Sequence, residues 1–282
     1  MHIKYNKFFH SEIMYVWEGV SVEFPDELKG IELEMGIDEA GRGPALGPMV
    51  YSGAIAPNKY EWPKDVDDSK KLTAEQREEI FDEIKKLPVG FTVRVISAEE
   101  ISAKQTALVN PPISLNTVSH HAARDLVQAF LDKGLNIKAL YVDTVGIAES
   151  YQDWLQDKFP NIKVTVRAKA DATYKVVGAA SICAKVTRDR LLADFKFEEP
   201  GLEISHDWGS GYPSDPKTSN WLETNFDPVF GYPSVARFDW KPIKMMFENN
   251  KMTADFELPD PHILDSPFFA TRGLKQFHAS SK

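Results

Sequence analysis

Two apolar runs, residues 31–37 and 49–56, lie so close together in the chain that their short connection favours an antiparallel strand pair. The first run alternates apolar and mainly acidic positions through Ile31, Leu33, Met35 and Ile37, the period of a half-buried strand. It stops at two adjacent carboxylates, Asp38 and Glu39. A glycine-flanked arginine follows in Gly41-Arg42-Gly43, and Pro44 and Pro48 stiffen the exit. Taken alone, an acidic pair at a strand end is more often a solvated turn. Beside a small-residue loop whose backbone can approach a ligand, the same pair suits a hard metal ion. The remaining chain must supply its partners.

Residues 1–30 read as an N-terminal extension with room for one strand. Further along, Thr73 and Gln76 form a capping box, and Ile80, Phe81, Ile84 and Leu87 have helical spacing. A third strand is expected over residues 91–96, and a helix over 116–133 that stops at Gly134. A short buried strand, residues 139–142, then delivers Asp143. A helix over 148–158, a strand over 162–167 and a long helix over 172–195 complete the pattern. Three antiparallel strands followed by alternating strand and helix predict an α/β fold: a mixed five-stranded sheet, order 3-2-1-4-5, flanked by helices. Beyond it come a rigid turn at 209–213 carrying Tyr212 and a short helix over 216–226. A last helix within 235–249 is expected to be interrupted by Pro242. A polar, proline-punctuated tether over 251–267 leads to an aromatic-bearing tail with Phe268 and Phe269. Residues 1–228 are therefore expected to form the catalytic domain, and residues 229–282 a C-terminal helical extension and tail.

Composition narrows the function classes. No continuous apolar stretch reads as a signal peptide or a membrane span, which points to a soluble intracellular protein. One cysteine, Cys183, leaves no internal disulfide and no cysteine-based zinc cluster, and its helical position reads as core. The net charge of −9 argues at first against nucleic acid. Charge is uneven, however: residues 161–196 hold eight basic residues against three acidic ones. A basic face in an acidic protein accommodates a polyanion, and equally an ordinary solvated helix.

Two further acids complete a constellation. Asp143 stands at the C-terminal end of a strand, where open α/β sheets place their sites, although a carboxylate simply leaving the sheet for water is as common. Asp171 stands just before the long helix, where the commoner role is an N-cap. In the predicted strand order the first and fourth strands are neighbours, so their terminal carboxylates converge. Oxygen-only, histidine-free ligands suit Mg²⁺ or Mn²⁺ rather than zinc. Two such ions per site serve phosphoryl transfer to water.

The chain resembles the type 2 ribonucleases H, and within them the catalytic subunit of the eukaryotic heterotrimers. The resemblance runs through GIDEAGRGPALGPMVY, DSKKLT, LNTVSH, YVDTVG, VTVRAKADATYKVVGAASICAKVTRDR, GSGYPSDPKT and PVFGYPSVARFDW, with a shorter match at FFATRGL. It implies a ribonuclease H-like fold with Asp38, Glu39, Asp143 and Asp171 as catalytic metal ligands. It implies cleavage of the RNA strand of RNA/DNA hybrids and cutting 5′ of single ribonucleotides embedded in duplex DNA, leaving 5′-phosphate ends. Gly41, Arg42 and Gly43 match a loop that reads the 2′-hydroxyl, a role that suits glycine because no Cβ blocks the backbone. Tyr212 matches a tyrosine that senses the RNA–DNA junction, and Lys70 and Asn116 match substrate contacts. Two non-catalytic partner subunits and a nuclear location are also implied, with no membrane. The resemblance departs at Asp239, where the family commonly has serine; surface variation is the expected reason.

Two alternatives stay open: a hybrid-only nuclease of the same topology, and a catalytically silent nucleic-acid-binding scaffold, against which the presence of all four acids counts. Other motifs fail. Residues 41–47 lack the lysine of a phosphate loop, His120-His121 lacks a partner at ligand spacing, and Ser210 lacks a nucleophile-elbow context.

Overall fold

The computed structural model describes residues 19–250 apart from 64–65, 67–71, 107–110, 198 and 200–203. Lys70 and the aromatic tail at Phe268 and Phe269 lie outside the described residues. The strands are β1 (Ser21–Glu23), β2 (Glu32–Ala40), β3 (Met49–Pro57), β4 (Gly90–Ile96), β5 (Asn136–Asp143) and β6 (Lys163–Arg167). The α-helices are α1 (Ala74–Ile84), α2 (Ala98–Gln105), α3 (Leu115–Asp132), α4 (Ala148–Lys158), α5 (Lys175–Ala193), α6 (Pro216–Thr224) and α7 (Lys241–Asn249).

The strands form one mixed sheet in the order β1-β4-β3-β2-β5-β6. The predicted order of five is contained in it unchanged. The sixth strand, β1, pairs antiparallel with the edge of β4 through Ser21↔Val93 and Glu23↔Phe91. Three residues are too few to show a period, so its pairing partner was not legible locally.

Period-2 geometry sends neighbouring side chains of β2 to opposite faces. Leu33, Met35 and Ile37 join α3 and α4 residues such as Leu126, Phe130 and Leu155 in one core cluster. On the other face, α5 lies directly against the strand: a Cβ on Gly36 would fall 2.4 Å from the Val176 carbonyl carbon. That approach, with the α1 and α5 residues Phe81, Ile84, Val177 and Cys183, forms the second cluster. A third cluster lies beyond the sheet. Trp208, Trp221, Tyr232, Val235 and Ile243 enclose Ala45 and Leu46 of the connection between β2 and β3.

Local signals set several boundaries. Thr73 and Gln76 close the capping box that starts α1, and Ser114 caps α3. Two expectations are corrected. The long helix does not begin at residue 172: a 3-10 turn, Ala170–Ala172, comes first, and α5 starts only at Lys175. Asp171 is therefore inside a turn rather than capping the helix; the left-handed Lys169 (φ 57°) leads into that turn from β6, and the extended Tyr174 sets it apart from α5. Pro242 does not interrupt a helix but opens α7 in its first turn, where a missing N–H costs nothing. Residues 98–105, for which the sequence offered no reading, form a helix, α2, capped by Ser97, in a segment too short and polar to show clear periodicity.

Candidate active site

Strand ends bring the first acids together. β2 and β5 run parallel with Ile37 beside Val142, so Asp38 and Asp143 emerge side by side at the C-terminal edge of the sheet. Both face α5, from which Ser181 bonds Asp38 and Lys185 adds a positive charge. Glu39, one residue on, faces the α3–α4 side. Asp38 Oδ1 accepts a bond from the Glu39 backbone N–H at 2.8 Å, which fixes the Asp38 carboxylate against the strand. Asp143 Oδ1 accepts from the Ala170 N–H at 2.9 Å, so the 3-10 turn holding Asp171 is pinned to Asp143. Asp171 is buried, and its own Oδ1 accepts from the Ala172 N–H.

These carboxylates are electrostatically uncomfortable. Burial, together with the charge of Asp143 and against a Ser181 hydrogen bond, pushes Asp38 up to about 7. Burial and the Asp38 charge push Glu39 up to about 8. Glu39 Oε2 is buried with no hydrogen-bond partner. Such groups call for a compensating cation. The donor set is all oxygen, so the residues fit Mg²⁺ or Mn²⁺. Among the described residues no three His, Cys, Asp or Glu side chains are already grouped as a closed ion cage.

Asp38, Glu39 and Asp143 line a cleft of about 280 Å³ together with Gly41, Arg42 and Gly43. Tyr212 lines its rim, 42 % exposed, and Tyr212 Cε1 would lie 2.9 Å from a Cβ on Gly43. Asp171 and Asn116 are not part of that lining. Asn116 instead connects through Arg42, whose Nη2 donates to Asn116 Oδ1 at 2.5 Å while Nη1 donates to Ser119 Oγ at 2.5 Å. The arginine thereby ties the loop to α3. Asp239 pairs with Lys244 and stays out of the cleft. His120 and His121 pack against Tyr151 and Trp154.

The loop between β2 and β3 is held with unusual completeness. Buried Arg237 donates to the carbonyls of Gly41 (2.5 Å), Arg42 (3.1 Å) and Gly47 (2.9 Å). Arg188, from α5, donates to Leu46 (3.4 Å) and Pro48 (3.2 Å), and Trp240 Nε1 donates to Gly43 (2.9 Å). Burial pulls Arg237 down to about 9, with the Arg188 charge adding to the effect. The Tyr212 turn is braced in the same way. Ser210 N and Oγ both donate to Asp215 Oδ2 at 2.8 Å, and Ala45 N donates to Gly211 O at 2.8 Å. Lys185, Arg188 and Asp189 of α5 also line the cleft and were not among the expected site residues. Their i, i+3, i+4 spacing on a mostly buried helix, inside the basic segment, was the available signal.

A mixed sheet whose adjacent strand ends present buried carboxylates beside a rigid glycine loop defines a hydrolytic α/β enzyme site of the nuclease kind. The Ribonuclease HII family model matches residues 35–243. A ribonuclease H2 subunit of Bos taurus is 45 % identical over 229 residues, covering 79 % of this chain and 76 % of that protein. Its Homo sapiens counterpart is 46 % identical over 219 residues, covering 76 % and 72 %. Among solved structures, the ribonuclease H2 from Pyrococcus horikoshii OT3 superposes with a TM-score of 0.64 at 30 % identity, covering 77 % of this chain and 98 % of that one. The chain belongs to the ribonuclease HII family and is a ribonuclease H. No helix among the described residues is long and apolar enough to cross a membrane.

Proposed function

We propose that this ribonuclease H cleaves the RNA strand of RNA/DNA hybrids and also cuts on the 5′ side of a single ribonucleotide embedded in duplex DNA, leaving a 5′-phosphate. The observation that carries this reading is one cleft lined by Asp38, Glu39 and Asp143 together with Gly41, Arg42, Gly43 and Tyr212. Hydrolytic groups and a loop suited to a 2′-hydroxyl thus share one surface. Asp38, Glu39, Asp143 and Asp171 would hold Mg²⁺ or Mn²⁺, two ions per site, which supply activation of water and neutralise charge at the scissile phosphate.

The chain's own residues supply position. Gly41 has φ +78°, and any Cβ there would meet Arg188 and the Pro48 carbonyl, so only glycine lets the loop keep the conformation that presents its backbone to the cleft. Tyr212 offers an exposed ring face at the rim for stacking on the nucleotide beyond the ribonucleotide. Lys185 and Arg188 place positive charge in the same cleft, where phosphates would lie. Lys70 and Asn116 are proposed as further substrate contacts, with Asn116 acting from its bond to Arg42. Residues 229–250 are proposed as an extension that buttresses the catalytic unit, since Arg237 holds the loop. The likeness to ribonuclease H2 proteins that are themselves named as subunits supports assembly with other chains, which we propose are two non-catalytic subunits, with work in replication and repair within the nucleus as the family resemblance implies.

The test uses a DNA duplex bearing one ribonucleotide, with an all-DNA duplex and an RNA/DNA hybrid alongside. Mg²⁺-dependent nicking 5′ of the ribonucleotide, lost in Asp143→Asn and weakened in Tyr212→Phe, is the expected result. Cleavage of the hybrid alone would reduce the activity to the hybrid-only class.

A further inference from the structure

Glu39 differs from Asp38 and Asp143 in the face it occupies, and that face holds a set of buried hydroxyls the proposed reaction does not yet use. Tyr51 lies directly opposite Glu39 in the β2–β3 register, so the two side chains stand on the same face as cross-strand neighbours. Tyr51 is 1 % exposed, and its hydroxyl and Glu39 Oε2 are both buried without a partner at hydrogen-bond geometry. Tyr151 closes the space from α4, its hydroxyl also unpartnered and its ring stacked on His120 at 3.9 Å. A buried hydroxyl left unpaired costs about 1–3 kcal/mol, and phenylalanine would pack the same volume without that penalty.

We propose that Tyr51 is a positioning residue that donates its phenolic hydrogen to Glu39 and aims the carboxylate into the cleft. A phenol is protonated at neutral pH, so towards a carboxylate it can only donate. The strand's period turns Glu39 away from Asp38 and Asp143, and without a donor behind it the side chain has no fixed orientation towards them. Arg42 anchors from the side: it bonds Ser119, and Ser119 in turn donates to the Leu115 carbonyl at 2.9 Å. Ser119 is a competing partner for the Tyr51 hydroxyl. If the phenol served Ser119 instead, its role would be structural only.

This inference rests on the proposed metal-dependent reading, and the experiment separates the two. Mn²⁺ binding to the metal-free full chain is measured by calorimetry, and cleavage of the ribonucleotide-bearing duplex by steady-state kinetics. In Tyr51→Phe, Mn²⁺ affinity and kcat should each fall about 10-fold with KM for the duplex unchanged, as for other outer-shell partners of metal ligands. In a Glu39→Gln background the same substitution should add no further loss of Mn²⁺ affinity, because the phenol acts through the carboxylate. Wild-type affinity and kcat in Tyr51→Phe overturn the inference, as does an equal extra loss in the Glu39→Gln background. Should Tyr51→Phe not fold, 3-fluorotyrosine at position 51 keeps the hydroxyl and strengthens its donation. Tighter Mn²⁺ binding then supports the role, and unchanged binding overturns it. A wild-type chain that neither binds Mn²⁺ nor cleaves sinks the functional reading itself.

Discussion

The two halves of the site, adjacent in sequence, are built on opposite principles. At the end of β2, Asp38 and Glu39 are buried, mutually repelling and incompletely satisfied, with Glu39 Oε2 lacking any partner. Just beyond them the loop is over-determined: the carbonyls of Gly41, Arg42, Gly43, Leu46, Gly47 and Pro48 are all taken by Arg188, Arg237 or Trp240. The contrast teaches a division of labour. Charge left uncompensated at the carboxylates stores an affinity for cations, which costs stability. The rigid loop beside it keeps the backbone groups that line the cleft from relaxing towards that charge. Preorganisation of this kind is what lets fixed groups discriminate a transition state.

The comparison can be broken at the acid end first. Asp143→Asn keeps the hydrogen-bond acceptor for Ala170 but removes a charge from the cleft, and cleavage should fall by at least about 100-fold in a duplex nicking assay. Circular dichroism should show the fold intact. Next in size is Arg237→Ala. It strips three carbonyls of their donor in a buried setting, at a cost of about 3 kcal/mol in urea unfolding, with loss of cleavage. An exposed lysine such as Lys29, whose ion pair is at the surface, should by contrast be replaceable at little cost.

Gly41→Ser should cost about 2 kcal/mol. The position has φ +78° and a Cβ would meet Arg188 Nε at 2.2 Å and the Pro48 carbonyl oxygen at 2.6 Å. Cleavage at a lone ribonucleotide should suffer more than thermal stability does. A variant that cuts such a site as well as wild type would remove the loop from substrate recognition.

The smallest effect has the opposite sign. Asp38 is raised from its ordinary value of 3.8 to about 7, so the folded chain holds a proton that the unfolded chain has released. Glu39, raised from 4.5 to about 8, acts in the same direction, so stability of the metal-free chain should decline as pH rises from about 4 to about 8. Asp38→Asn removes its share of this slope and should gain about 1 kcal/mol at pH 8, measured by chemical unfolding in chelator. Added Mg²⁺ should stabilise wild type more than the variant. A wild-type chain equally stable at pH 5 and pH 8 in chelator would show that the carboxylates are not under strain.

Much of this site was legible because its carboxylates stand at element ends. Asp38 stands near the end of an alternating strand, which the structure carries on to Ala40, and Asp143 ends a short apolar one; strand neighbourhood followed from the order and length of the connections. Helix starts were legible where a side chain reaches its own backbone, as at Thr73 with Gln76. Legibility failed where the deciding contact is distant. The Ala170–Ala172 turn is entered through a left-handed lysine, Lys169, that no propensity announces, and the extended Tyr174 delays α5. Arg237 sits in the segment expected to contain the last helix, yet it lies ahead of α7 and is fully buried. Its partners Gly41, Arg42 and Gly47 lie far away in the chain, and their being carbonyls rather than carboxylates makes it unlike an ordinary paired arginine.

By itself the sequence determined the periods, the caps and the turn chemistry, because these depend on residues within about one helical turn of each other. It also determined that the acids would fall at the same edge of the sheet. Only the tertiary structure decided that Glu39 would face Tyr51 and not Asp143, and that β1 would close the edge of β4. It alone decided, too, that the glycine loop would hang from two buried guanidiniums. Each of these is set by register and by packing between segments remote in sequence, and local periodicity does not encode either.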